Sequence, residues 1–340
     1  MDPSMKDEEK RTAMNDRKIV FTDIKTLGFN VNVSGLARYG QVKLYDSLQD
    51  TEVGAAVSDA DIIITNQNNL NAGNLGGADK LKLICAAATG YDNIDTEYCR
   101  NRGVAVANVP GYAAGSVAQH TFAMLFYLIS HSRYYDDFVR NGEYSSAFPI
   151  YHENRDFFEL EGKTWGIIGL GAIGRKVGRI AEGFGCRVIY YSTSGRNHDG
   201  CFPESRLEEL LSKSDIISVH APLNPDTRGL IGKNELGSMR KGAYLLNLGR
   251  GGIVDEKALV HALENQWIAG AGLDVFESEP VRPDGPLMRY ISGCSAEDSN
   301  LYMTPHIGYA SVEARERLMA TVYRNIEAFL EGSALNRVEK

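Results

Sequence analysis

Short apolar runs alternate with helical stretches along nearly the whole chain, and no other feature restricts the fold as strongly. The first series of runs is Lys18–Ile24, Val42–Tyr45, Asp61–Thr65, Leu83–Ala86 and Val104–Ala107. The second is Thr164–Gly169, Arg187–Tyr191, Asp215–His220, Ala243–Leu248, Ala271–Val275 and Leu301–Thr304. Strands covered on both faces read as unbroken apolar runs, and parallel neighbours need a crossover, ordinarily a helix. The alternation therefore predicts an α/β architecture with parallel sheets. Between the later runs, helices are predicted near Gly171–Phe184, Pro203–Ser212, Lys233–Met239 and Glu256–Asn265, which makes the second series a doubly wound sheet of its own.

A chain of 340 residues is too long for one ordinary core, so two domains are expected. Between the two series, "VPGYAAGSVAQHTFAMLFYLISHSRYY" predicts a long helix from about Gly115. It is too apolar for a free surface and should be buried against a sheet or another subunit. The last helix, Ser311–Gly332, is left over after the final strand and is expected to return to the first domain. The division expected is a leader at 1–16, a discontinuous substrate domain at 17–114 and 307–335, and a nucleotide-binding domain at 115–306.

Composition excludes several roles. The net charge of −8 argues against nucleic acid or an anionic membrane as partner, since both need a basic face. The longest apolar stretch, around Phe122–Ile129, is too short to span a bilayer. Residues 1–16 (MDPSMKDEEKRTAMND) are polar and of mixed charge, so they predict a disordered leader and not a secretory signal. The five cysteines, Cys85, Cys99, Cys186, Cys201 and Cys294, are scattered and form no CxxC pair. Reduced thiols in a cytoplasmic protein without a zinc site are the expectation.

The stretch "TWGIIGLGAIGRKVGRIAEGFG" places Gly169, Gly171 and Gly174 in a GxGxxG pattern, with Leu170, Ala172 and Ile173 between them. The pattern alone is weak in a chain with 35 glycines. Here it follows an apolar strand and opens a helix whose inner face would be Ile173, Val177, Ile180, Ala181 and Phe184. That is the setting for a dinucleotide: a tight turn, bare backbone beside the pyrophosphate, and a helix N-terminus facing the anion. At the end of the next strand an acid would bind the ribose diol of NAD. The chain has "VIYYSTSGRN", with Ser192 at that position and Arg196 nearby, so NAD and NADP both remain open. His220, Ala221, Pro222 and Thr227 of "SVHAPLNPDTRGLI", and Leu248 and Gly249 at the following strand end, are further candidates to line the cofactor.

Ligands of open parallel sheets bind beyond the carboxyl ends of the strands. Arg250 follows one such end in "LLNLGRGGIVD", Glu279 follows another in "LDVFESEP", and His306 a third in "YMTPHIGYAS". A guanidinium can grip a 2-oxo acid through planar paired hydrogen bonds. An imidazole can deliver a proton to the carbonyl oxygen, and a carboxylate beside it would stabilise the imidazolium. Each residue alone has a plain structural reading as a turn or surface residue. Together at one rim they make a complete set for carbonyl reduction.

The stretches "AAATGYDNID", "SVAQHTFA", "GIIGLGAIGRKV", "SDIISVHAPLNPDTRGLI", "MRKGAYLLNLGRGGIVDEKALVHAL", "AGLDVFESEP" and "TPHIG" occur in an order that resembles the D-isomer-specific 2-hydroxyacid dehydrogenase family, over residues 18–332. Within it, "IIITNQNNL" and "VPGYAAGSVAQHTFA" look most like the glycerate dehydrogenase (hydroxypyruvate reductase) branch. The resemblance implies two Rossmann-like domains with a cleft between them, the first flavodoxin-like, and a homodimer formed through the long helix. It implies that Arg250 binds the substrate carboxylate and carbonyl, that His306 is the acid/base and that Glu279 is its partner. Asp274 would hold the nicotinamide carboxamide, while Thr89 and Gly90 would offer backbone N–H groups to the substrate carboxylate. The implied activity is NAD(P)H-linked reduction of a small 2-oxo acid, hydroxypyruvate or glyoxylate, to the D-2-hydroxy acid. The alternatives are a D-lactate or aryl-lactate dehydrogenase of the same family, or a non-catalytic NAD-sensing corepressor. Two departures stand out: Gln119 replaces the acid of "SVAEH", and 281–303 is expected to be a long loop, with a polar stretch at Ser292–Asn300, that reshapes one side of the pocket.

Overall fold

A computed structural model describes residues 16–28, 31–145, 155–198, 200–294 and 300–339; the leader, up to residue 15, lies outside the described residues. The chain divides into two compact units, one running to Ala113 and resuming at Ala310, the other spanning Ala114–Tyr309.

The first unit is built on β1 (Lys18–Phe21), β2 (Gln41–Leu44), α1 (Asp50–Val57), β3 (Ile62–Thr65), α2 (Ala72–Leu75), β4 (Leu83–Ala86), α3 (Thr96–Asn101) and β5 (Ala105–Ala107). All pairings are parallel, in the order β2-β1-β3-β4-β5, which is the flavodoxin-like order. β3 and β4 are buried along their whole length, which is why both read as pure apolar runs. β2 lies at an edge and is largely exposed, so it tolerates Gln41 and Lys43. The strand order reverses at β1, and there the buried carboxylate of Asp23 ties two loops together. It accepts the backbone N–H groups of Asn66 (2.9 Å), Gln67 (2.6 Å) and Asn68 (3.1 Å) beyond β3. Burial pushes this carboxyl up, and those N–H groups pull against the shift.

The second unit begins with α4 (Ala114–Ile129) and α5 (Ser132–Arg140), followed by β6 (Thr164–Ile168), α6 (Ala172–Gly183), β7 (Arg187–Tyr191), α7 (Leu207–Lys213) and β8 (Ile216–Val219). It continues through α8 (Lys233–Ser238), β9 (Tyr244–Asn247), α9 (Glu256–Glu264), β10 (Gly270–Leu273), α10 (Pro286–Gly293) and β11 (Leu301–Met303). The strands are parallel in the order β11-β10-β9-β8-β6-β7 and reverse at β6. The final helix, α11 (Val312–Leu330), belongs to the first unit and packs on β4.

α4 lies against its own sheet, touching β9, β10 and β11, and also packs on α6. Gly272 in β10 makes room for it: a Cβ there would come 3.3 Å from the Met124 methyl and 2.8 Å from Leu246. No helix among the described residues is long and apolar enough to cross a membrane.

Three expectations change. Gly169, His220, Leu248, Asp274, Val275 and Thr304 lie just past the paired ends of their strands, because the chain leaves the ladder at the carboxyl rim. Phe184 is not on the core face of α6. It caps that helix, 44% exposed, and stacks on Phe122 (5.6 Å) of α4. The segment 281–303 is not all loop, since it contains α10, whose Leu287 is 1% exposed and joins the main core. Residues 295–299 of that segment lie outside the described residues.

Candidate active site

The carboxyl ends of β9, β10 and β11 carry the polar residues singled out above. β9 is buried throughout and ends at Asn247, itself 1% exposed. The Asn247 side chain shapes the turn that follows: its Oδ1 accepts from Gly249 N (3.1 Å) and its Nδ2 donates to Arg250 O (2.9 Å). Arg250 is thereby presented half-buried, with Nη1 donating to Gly249 O at 3.0 Å. Gly251 presses against the next strand's exit: a Cβ there would lie 1.8 Å from the Phe276 carbonyl carbon. Glu256 and Glu277 lock the same two segments, since Glu277 N donates to Glu256 Oε1 (2.8 Å) and Glu256 N to Glu277 Oε1 (3.1 Å). The loop bearing Arg250 and the loop bearing Glu279 are therefore tied to each other directly.

Glu279 Oε1 accepts the N–H of Phe276 at 3.0 Å, which aims Oε2 at His306 Nδ1, 2.8 Å away. Burial pushes the Glu279 carboxyl up. The His306 hydrogen bond and charge, the Phe276 N–H and the Arg250 charge outweigh burial, and the net direction is down. Glu279 is thus an anion at neutral pH. A carboxylate can only accept, so the shared proton sits on Nδ1 and Nε2 is left to exchange protons with a ligand. Tyr309 packs edge-on against the ring, 5.6 Å between centroids.

His306 has a backbone φ of +51°, in the left-handed region that a histidine rarely occupies. The turn is held by Asp274, 2% exposed. Its Oδ1 accepts from Thr304 Oγ1 (2.6 Å) and Ile307 N (2.9 Å), and its Oδ2 from Gly308 N (2.8 Å). Of about four acceptor positions on a carboxylate, these occupy three. Asp274 therefore builds the turn of His306, a task that the resemblance did not assign to it.

A dinucleotide fits the other half of this rim. Gly169 has φ +93°, and a Cβ there would stand 2.9 Å from the backbone of Ala221. At Gly174 a Cβ would fall 2.4 Å from Gly169 O, so helix and loop touch directly. At Gly171, the N-cap of α6, it would meet nothing within 4 Å. The first bond of the helix end is Arg175 N to Gly171 O (3.0 Å), which leaves the N–H groups of Ala172, Ile173 and Gly174 directed out of the helix towards that open space. Two buried polar groups flank the loop without partners among the described residues: Ser192 Oγ beyond β7, and both ring nitrogens of His220 beyond β8. Each residue is 8% exposed. Burial pushes His220 down to about 3, so it is neutral and offers one donor and one acceptor.

Arg196 and Pro222 are exposed, Ala221, Leu248 and Gly249 are buried at the rim, and the buried Thr227 hydroxyl turns inward to Pro222 O (2.6 Å). In the first unit, Thr89 Oγ1 donates to Val109 O (2.8 Å), and the N–H groups of Thr89 and Gly90 have no acceptor among the described residues. Gln119 is exposed, so its replacement of an acid faces solvent. Sequence reasoning missed Asn247, whose only trace was a polar residue ending an apolar run.

The family model for "D-isomer specific 2-hydroxyacid dehydrogenase, NAD binding domain" matches residues 122–308. A hydroxypyruvate reductase of Blautia hydrogenotrophica is 36% identical over 90% of this chain and 94% of its own. A glycerate dehydrogenase of Methylorubrum extorquens is 34% identical over 95% of this chain and 99% of its own. The structure of an NADPH-dependent glyoxylate/hydroxypyruvate reductase of Sinorhizobium meliloti, in complex with NADP and malonate, superposes with a TM-score of 0.80 at 27% identity, covering 95% of this chain and 97% of that one.

The glycine loop can be tested by a contrast. Gly174→Ala should lower the melting temperature, because its Cβ has no room beside Gly169 O. Gly171→Ala should melt as the wild type does and weaken NADH binding, since only a ligand occupies the space its methyl enters. Calorimetry and fluorescence titration with NADH read the two effects; unaltered NADH affinity in Gly171→Ala would remove the pyrophosphate from this loop.

Proposed function

We propose that this chain, which belongs to the D-isomer specific 2-hydroxyacid dehydrogenase family, reduces hydroxypyruvate or glyoxylate to D-glycerate or glycolate, with NADH or NADPH as reductant. The observation that carries the reading is the 2.8 Å pair of His306 Nδ1 and Glu279 Oε2 at the rim that also bears Arg250. The relatives named hydroxypyruvate reductase and glycerate dehydrogenase support the substrate class.

The nicotinamide, when bound, supplies the hydride that adds to C2. Arg250 binds the substrate carboxylate and polarises the ketone. His306 Nε2 gives its proton to the carbonyl oxygen and takes it back in the reverse direction. Glu279 holds the ring by Nδ1 and so aims Nε2 at the carbonyl oxygen. The Gly169–Gly174 loop and the α6 N-terminus hold the pyrophosphate, Ser192 and Arg196 the adenosine ribose, and Asp274 the carboxamide with its remaining acceptor position. The absence of an acid at Ser192 removes a repulsion that would disfavour NADP without excluding NAD.

The experiment is a reduction panel of hydroxypyruvate, glyoxylate, pyruvate and phenylpyruvate with each reductant, on wild type and Arg250 variants. Arg250→Ala should lose about 1.5–3 kcal/mol of transition-state stabilisation, the value of a charged hydrogen-bond pair, with little change in folding stability. Arg250→Lys should also be poor, since an ammonium cannot make the planar paired contact. Near wild-type kcat/KM in Arg250→Ala would sink the anion-binding role.

Reduction consumes a proton from a cationic imidazole, so its kcat/KM should fall at alkaline pH, and that of oxidation at acidic pH. The Glu279 carboxyl lies below its usual range and stays ionised across this window. Glu279→Gln removes its charge and keeps its shape, which should move the alkaline limb of reduction to lower pH. A limb that stays in place would mean that Glu279 does not act on the proton donor.

A homodimer through α4, as the family resemblance implies, would use the apolar groove where Phe126 and Ile129 meet Phe157 and Phe184, the last two 67% and 44% exposed. Phe184→Glu should shift the sedimentation coefficient towards that of a monomer; an unchanged coefficient would place the contact elsewhere.

A further inference from the structure

We propose that His120, on α4, is a positioning residue for His306: through the hydroxyl of Thr304 it fixes the Asp274 carboxylate on which the His306 turn is built. The inference rests on the reading of His306 as proton donor and goes beyond it, since His120 lies in a helix that the sequence marks only as apolar.

The bonds have a definite direction. Thr304 Oγ1 is 2.6 Å from Asp274 Oδ1 and 2.9 Å from His120 Nε2. Burial pushes the Asp274 carboxyl up, but the nearby His120 ring and the hydrogen bonds from Thr304, Ile307 and Gly308 carry it below its ordinary value, so it is an anion. An anionic carboxylate has no proton to give, and the single hydroxyl proton of Thr304 therefore points at Asp274. The Thr304 oxygen is left as an acceptor, and His120 Nε2 must carry the hydrogen that it accepts. The same Nε2 stands 3.6 Å from Asp274 Oδ1 and adds its attraction to the anion directly. The sequence runs from His120 through Thr304 to Asp274 and ends at the N–H groups of Ile307 and Gly308, on the far side of His306.

α4 also holds the end of the turn. Ser116, one helical turn before His120 and on the same face, donates to Gly308 O at 2.6 Å. A Cβ on Gly308 would lie 2.8 Å from Asp274 Oδ2 and 3.4 Å from His120 Cδ2, so the chain passes there in direct contact with both. The helix therefore grips the turn before His306 at Thr304 and after it at Gly308. His306 sits between these grips in a left-handed conformation, which persists only where the surroundings hold it.

The test uses the full chain with NADH and hydroxypyruvate. His120→Phe and Thr304→Val break the sequence of bonds, and each should lower kcat by about 10- to 100-fold, the effect of misplacing a reacting group by up to an ångström. NADH affinity, read by fluorescence titration, should fall by a much smaller factor than kcat, since the carboxamide is only one of the cofactor's contacts. His120→Gln places an amide N–H where Nε2–H was, and Thr304→Ser keeps the hydroxyl; both should recover most of the lost rate. His120→Asn is too short to reach Thr304 and should stay slow although it is polar, which covers the case in which the phenylalanine variant does not fold. Because the residues act in series, the double variant His120→Phe/Thr304→Val should be no slower than the slower single variant. Multiplying losses, equal rates for His120→Gln and His120→Asn, or rates that follow melting temperature across the set would overturn the proposal. His306→Ala separates the two layers. If it is inactive while His120→Phe and Thr304→Val turn over at the wild-type rate, the positioning role alone falls. If His306→Ala itself turns over normally, the proton-donor reading falls and takes the positioning role with it.

Discussion

The buried carboxylate of Asp274 is the interaction on which the geometry of the rim depends. A charge removed from water is costly unless hydrogen bonds replace the solvent. Here the Thr304 hydroxyl and the N–H groups of Ile307 and Gly308 supply them, at 2.6–2.9 Å. These donors come from both sides of His306, so satisfying the anion and bending the chain into its left-handed turn are one event. The local backbone preference of a histidine is against that turn, and the carboxylate overrides it. Desolvation of Asp274 is thus offset by bonds whose by-product is a fixed imidazole.

A similar economy governs Arg250 and Glu279. Arg250 leaves β9 in a turn set by the Asn247 amide, whose oxygen and nitrogen bond both sides of the bend. Gly251 then passes so close to the Phe276 carbonyl that no side chain could stand there. Phe276 in turn donates its N–H to Glu279, and Glu279 orients His306. Backbone contact, not side-chain contact alone, links the guanidinium to the imidazole through the carboxylate. Groups supported in this way keep their spacing while a substrate enters, which is the condition for stabilising a transition state without reorganisation.

The nucleotide half of the rim rests on shape more than on charge. Gly169 and Gly174 bring strand, loop and helix into direct contact, while Gly171 faces open space at the helix end. Buried Ser192 and His220 stand on either side with polar atoms that have no partner among the described residues, a cost that a bound ribose or base would relieve. Neutral His220 can give one hydrogen bond and receive another, and so suits an uncharged part of the cofactor and not its phosphates.

The alternation of apolar runs determined by itself that the chain forms parallel sheets, because strands such as β3, β4, β8 and β9 are buried on both faces and can carry little else. The glycine pattern was legible for a related reason: backbone at close approach admits no side chain, and that requirement shows in the residues themselves. Arg250, Glu279 and His306 could be nominated because each follows a strand end, where a parallel sheet exposes what it binds with. Their mutual distances could not be read, since they lie on separate strands and depend on how β9, β10 and β11 align. Asn247, His120 and Thr304 were hidden for the same cause. Asn247 looked like the end of a run, His120 like one polar residue on an apolar helix, and Thr304 like the end of a strand. The segment 281–303 misled in the other direction, because the burial of Leu287 against the core stabilises α10 inside it. Period and burial are local properties that a sequence carries openly; a hydrogen bond between residues 184 positions apart, such as His120 to Thr304, exists only once the helix and the sheet have packed.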